Sequence, residues 1–139
     1  MKYSLFFGLL ITFLSCTEKK NAIGDSLFPQ MASVDSIQLL FYDKDDEDRF
    51  FTILLNSDSS KIIGLINDLC YDTIAPVNCT RQGKIYCFVD GAIYNTVYFN
   101  LDCQTPHFRY IKNARLYHFA MSPANRQQLQ TWKQESIAP

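Results

Sequence analysis

Residues 34–42 alternate with a period of two. Ile37, Leu39 and Phe41 fall on one side, Gln38 and Leu40 on the other, which is the pattern of a strand. The polar run at 43–48 breaks it, and residues 49–55 resume an apolar stretch with Phe50, Phe51, Ile53, Leu54 and Leu55. The simplest joining of the two is a hairpin with a charged tip. The period then changes. Ser57, Asp58, Ser59 and Ser60 offer helix N-caps, and Ile62, Ile63, Ile66, Leu69 and Cys70 recur at helical spacing, predicting one amphipathic helix that ends near Tyr71. Residues 72–83 form a connector containing Pro76, Cys79 and Gly83.

Asp90-Gly91 lies between two runs rich in β-branched and aromatic residues, 84–89 and 93–99. That arrangement predicts a second hairpin with a two-residue turn. Pro106 breaks the chain again. Residues 108–119 hold four aromatics and read as one or two strands, bent near Asn113. Ser122 followed by Pro123 is a helix start, cap and first turn; Leu129 and Trp132 anchor a short final helix to about residue 136. Clustered strands with few helices predict an α+β fold: an antiparallel sheet of about five to six strands, one amphipathic helix after the first hairpin, and a short C-terminal helix. Residues 34–139 form a single small domain.

The first fifteen residues follow different rules. Lys2 precedes a ten-residue apolar run at 5–14, then Ser15, Cys16 and a polar stretch. The run is too short to span a bilayer, which takes about 20 apolar residues, and has the layout of a secretory signal. Phe13-Leu14-Ser15-Cys16 resembles the lipobox of bacterial lipoproteins, with Phe13 where the usual pattern prefers Leu, as in the relaxed lipoboxes of the Bacteroidota. The resemblance covers residues 1 to about 20. It implies removal of residues 1–15, a lipid on Cys16 and a membrane anchor in the cell envelope. The segment after Cys16, to about residue 33, is polar at first, holds Gly24 and Pro29 and lacks sustained periodicity, so residues 16–33 are expected to form a lipidated, flexible tether.

Composition narrows the classes further. Hydrophobic residues are 47% of the chain, with 11 Phe and 8 Tyr, which excludes a disordered polymer. A formal net charge of -1 argues against a dedicated nucleic-acid binder. The charge is uneven: residues 16–103 carry 7 basic and 13 acidic side chains, residues 104–139 carry 5 and 1.

The five cysteines are Cys16, Cys70, Cys79, Cys87 and Cys103. With Cys16 lipidated, four remain for an oxidising compartment. If Val89 faces Ala92 across the Asp90-Gly91 turn, opposite residue numbers sum to 181, and 79 and 103 sum to 182. The register therefore favours a Cys79–Cys103 disulfide, leaving Cys70 to pair with Cys87. Spacings of 9, 8 and 16 contain no C-x-x-C pair, so no zinc site is expected.

Asp43, Asp45 and Glu47 imitate the first carboxylates of a calcium loop. Asp48 then stands where glycine is needed and Leu54 where glutamate is needed, so the expectation is a solvated tip and no metal. Residues 107–119 interleave basic and aromatic side chains. Arg109, Tyr110, Lys112, Arg115 and Tyr117 are the expected contact surface, since arginine and lysine bind anions and aromatic rings stack on flat groups. In one continuous strand Arg109, Ile111, Asn113, Arg115 and Tyr117 would share a face. His107 and His118 are the only histidines. No nucleophile elbow, phosphate loop or dinucleotide fingerprint occurs, so no cofactor is expected. The reading is a membrane-anchored, non-enzymatic binding domain with an envelope protein or glycan partner and no nucleic acid. The alternatives are an inhibitor or immunity-type module that captures a periplasmic enzyme or toxin, and a small hydrolase.

Overall fold

The computed structural model describes residues 26–43, 51–69 and 73–139. Six strands form one antiparallel sheet: β1 (Ser36–Tyr42), β2 (Phe51–Asn56), β3 (Gly83–Val89), β4 (Ala92–Asn100), β5 (His107–Lys112) and β6 (Arg115–Ala120). Their spatial order is β2-β1-β3-β4-β5-β6. The helices are α1 (Ser59–Leu69), after the first hairpin, and α2 (Pro123–Glu135), at the C-terminus. This is the expected α+β architecture.

The pleat decides which face is covered. Ile37, Leu39 and Phe41 lie opposite Cys87, Ile85 and Gly83, which lie opposite Asn95, Val97 and Phe99. Farther along, Phe99 lies opposite Phe108 and Phe108 opposite Phe119. This apolar face joins Ile62, Leu65, Ile66 and Leu69 of α1 with Leu129 and Trp132 of α2 in one core. Each such side chain stabilises the fold by roughly 1.5–3 kcal/mol on burial. Gly83 lies opposite both Phe41 and Phe99, whose rings meet edge-on at 5.4 Å. A Cβ at residue 83 would overlap the Phe99 ring and the Leu40 carbonyl oxygen.

Both helices cross the strands. α1 leaves the β2 side, and soon after it Thr73 bridges to Phe119 of β6. α2 starts after β6 and ends where Ile137 bridges to Ile53 of β2. Local chemistry sets their starts. The Asp58 carboxylate accepts from the Ser60 N–H at 3.0 Å and the Ser60 hydroxyl at 2.7 Å, the N-cap arrangement; these bonds hold its pKa below the ordinary value. Ser122 caps α2 through Asn125 N–H at 3.2 Å, with Pro123 in the first turn. Two buried side chains tie the helices together: Asp68 accepts from Ser122 N–H at 2.7 Å, and Asn125 donates to the Gly64 carbonyl at 2.8 Å.

The tether expected over residues 16–33 ends earlier than the sequence indicated. Leu27, Phe28 and Met31 are buried in the core. The Phe28 ring lies 4.5 Å from Tyr110 and 5.7 Å from Phe119. Three apolar residues are too short a run to register as periodicity, yet all three join the core, Phe28 against aromatic rings of β5 and β6. Residues 1–25, with Cys16 and the lipobox, residues 44–50 of the acidic tip, and residues 70–72 with Cys70 lie outside the described residues. Among the described residues no helix is long and apolar enough to cross a membrane.

Candidate functional site

No helix packs on the other face of the sheet among the described residues. One end of that face is crossed by residues 73–82, a strap. It leaves the β6 edge, where Ile74 N–H donates to His118 O at 2.9 Å, and reaches β3 beside β1, where Tyr42 N–H donates to Gln82 O at 2.9 Å. The expected Cys79–Cys103 disulfide fastens it to the β4–β5 loop, with Cα atoms 6.3 Å apart. The register explains the match. Phe88 pairs with Ile93 but Cys87 pairs with Asn95, so Tyr94 is a bulge residue. Below the bulge, opposite residue numbers sum to 182, as 79 and 103 do. Asn100 donates to Thr80 O and Gln82 to Asp102, closing the same end.

Under the strap lie His107, Arg109 and His118. His107 Nδ1 lies 2.8 Å from Thr105 O, so that nitrogen carries the proton. Its Nε2 then accepts from Arg109 Nε at 3.2 Å. Arg109 also donates to the carbonyls of Val77, at 3.2 Å, and Cys79. His118 Nδ1 accepts from Val77 N–H at 3.5 Å, a marginal length, which places its proton on Nε2. Both imidazoles are buried, and burial lowers both pKa values below the usual histidine range, with Arg109 adding to the effect. The described partners of the two rings are main-chain groups and Arg109, with no Ser or Asp side chain among them. The arrangement is chemically suited to holding the strap.

The expected contact surface is divided by a turn. Asn113 and Ala114 both have positive φ, 52° and 60°, forming a two-residue hairpin turn. Lys112 therefore pairs with Arg115, Tyr110 with Tyr117 and Arg109 with His118. The single continuous alternation that grouped Arg109 with Arg115 and Tyr117 is thus corrected: Arg109 faces the strap, and Tyr110, Lys112, Arg115 and Tyr117 take the helix-side face. Tyr110 is buried, its hydroxyl donating to Asn95 at 2.8 Å. Lys112 Nζ donates to the carbonyls of Ser26 and Leu27, both at 3.3 Å. These residues hold the domain together. Arg115 is exposed, with its guanidinium 5.7 Å from the half-buried Tyr117 ring centroid.

Beyond the strap, the open face presents a set that the sequence reading did not single out. β3 contributes Lys84, Tyr86 and Phe88, β4 contributes Tyr98, and the last hairpin contributes the exposed pair Ile111 and Leu116. Lys84 Nζ sits 4.9 Å from the Tyr86 ring centroid, and Arg81 lies 5.2 Å from that of Tyr98. A hydrogen bond with Tyr86, then the nearby Tyr42 and Tyr98, raises the Lys84 pKa against the opposing effect of desolvation. The signal was available: in β3 these residues alternate with the core-facing Ile85 and Cys87.

Cys87 stands as a free thiol; Cys70, its expected bridge partner, lies outside the described residues. Cys87 sits in the middle of a central strand with its side chain in the apolar core, and burial pushes its pKa up to about 12. Among the described residues no group of three or more His, Cys, Asp or Glu could hold a metal ion. Comparison with protein-family models, curated proteins and solved structures finds no match to this chain.

Proposed function

We propose that this chain is a lipid-anchored envelope protein whose domain works as a non-enzymatic binding module, and that the open sheet face meets a protein partner. The observation that carries the reading is the composition of that face. Tyr86, Tyr98, Lys84, Ile111 and Leu116 stand on the side that no described helix covers. Tyrosine, tryptophan and arginine dominate the energy of protein interfaces, because large rigid rings bury much area at little entropic cost; Tyr86 and Tyr98 are such anchors, with Ile111 and Leu116 adding apolar area around them. The Cys79–Cys103 disulfide supports an oxidising compartment, and the lipobox-like segment ending at Cys16 supports the anchor.

The test has two arms. Intact mass of the protein from its own envelope, beside a Cys16→Ala variant, reports the anchor: a diacylated start at Cys16, lost in the variant, is expected. Site-specific photo-crosslinkers at Tyr86 and at Gln130 of α2 compare the two faces. One protein adduct at Tyr86, absent at Gln130 and abolished by Ile111→Glu, is expected. Equal labelling from both positions, or adducts only to polysaccharide, would remove the protein-binding reading.

A further inference from the structure

We propose that the outer edge of β2 is a self-association surface, independent of the open-face partner: with the C-terminal tail displaced, two copies of this chain join β2 to β2 about a two-fold axis through Ile53. β2 is an edge of the sheet among the described residues, and its six residues, Phe51–Asn56, include no charged residue, proline or glycine. Edges of that kind invite pairing with another chain, and proteins blunt them with charge, proline or a covering segment. Here the covering segment is the tail. Ile53 N–H donates to Ile137 O at 2.7 Å, and Ile137 N–H donates to Ile53 O at 3.1 Å. That reciprocal pair is the tail's one bridge to β2 among the described residues. The tail does not fill the edge: a cleft of about 490 Å³ stays open between Leu55 and residues 137–139. Leu55 and Ile137, each 72% exposed, are the most exposed large apolar side chains among the described residues.

The strand's own symmetry selects the occupant. Main-chain groups of an antiparallel strand point alternately to either side, so Phe51 and Leu55 aim theirs at the same outer edge as Ile53. Their side chains share the open face, with Phe51 opposite Tyr42, Ile53 opposite Leu40 and Leu55 opposite Gln38. A two-fold interface must be self-complementary, and this row is. Centred on Ile53, it sets Ile53 against the partner's Ile53 and Phe51 against the partner's Leu55. The hydrogen-bond ladder and the apolar row then both continue across the axis, as stabilising cross-strand pairs require. The opposite edge of the sheet does not compete. Thr73 bridges to Phe119 there, Ile74 N–H donates to His118 O at 2.9 Å, and the Cys79–Cys103 disulfide secures the same strap. Assembly through β2 therefore stops at two copies.

Sedimentation equilibrium in density-matched detergent compares the full chain, a variant lacking residues 137–139, and Ile137→Pro, which keeps the chain length but removes the donor to Ile53. Circular dichroism reports that each variant is folded. The full chain should be monomeric. Both variants should form dimers with an association constant at least tenfold higher, and no larger species. Adding Leu55→Lys to either variant should restore the monomer, because the charge would face the partner's Phe51. Adding Ile63→Lys, at an exposed position on α1, should leave the dimer intact. Should the shortened chain fail to fold, Ile137→Pro decides alone. Folded variants that stay monomeric, a dimer insensitive to Leu55→Lys, or open-ended assembly would each overturn the proposal, as would unfolding of both variants, which would make the tail part of the fold.

Discussion

His107 and His118 stack under the strap with ring centroids 5.2 Å apart and planes inclined by 33°. Each ring uses one nitrogen as an acceptor, His107 toward Arg109 and His118 toward Val77 N–H. Protonation turns both acceptors into donors that face donors, beside a guanidinium.

That relationship sets a pH dependence. Both pKa values are lowered in the folded protein, so the fold favours the neutral rings. Above the ordinary value of 6.5 folded and unfolded chains are both neutral and the stabilisation is complete. As pH falls below 6.5 the unfolded chain takes up protons first, and stability declines until the folded pKa values are passed. Urea unfolding midpoints should therefore drop between pH 7.5 and pH 5. In a His107→Gln/His118→Gln protein the profile over that window should be flatter.

Opening the disulfide should release the strap more than the core. Cys79 and Cys103 are separated by 24 residues, and a loop of that length implies a loss of about 3–4 kcal/mol in Cys79→Ala/Cys103→Ala. Hydrogen exchange should then rise first in residues 73–82. Unchanged strap protection would mean that its hydrogen bonds to Arg109, His118 and Asn100 secure it without the disulfide.

Gly83→Ala tests the packing of the central strands. The added methyl meets the Phe99 ring and a main-chain oxygen, and overpacking of this kind costs about 1–3 kcal/mol. Truncating Phe99 should cost less in the Gly83→Ala protein than in the parent, since the methyl fills part of the space left by the ring. A thermal melt of the single and double variants reads both effects.

Cys87 should resist thiol reagents in the native protein. Its pKa of about 12 leaves almost no thiolate at neutral pH, and the thiolate is the reactive form. Peptide mass spectrometry after brief alkylation should find Cys87 unmodified under native conditions and fully modified in denaturant. A Cys70–Cys87 disulfide peptide would contradict the free thiol.

The strands and helices were legible because each carries its own period. Lys84–Phe88 alternates, Ile62–Leu69 recurs at helical spacing, and Ser122-Pro123 marks a helix start in two residues. The Cys79–Cys103 pairing was legible as well, because a turn at Asp90-Gly91 projects a register outward along both strands. The contact surface was not. Grouping Arg109 with Arg115 and Tyr117 assumed one continuous strand, and the positive φ angles of Asn113 and Ala114 fold it into a hairpin that sends alternate side chains to the opposite face.

The sequence by itself determined the α+β class, the order of the elements and one covalent clasp, since these follow from local periods, caps and turn residues. Only the tertiary structure decided that Leu27, Phe28 and Met31 belong to the core, that Tyr110 and Lys112 are occupied within the fold, and that Lys84, Tyr86 and Tyr98 stand on the open face. The physical reason is the same in each case. Burial depends on which distant segment arrives to cover a surface; both helices here cross one side of the sheet, and among the described residues the other side receives a strap over one end.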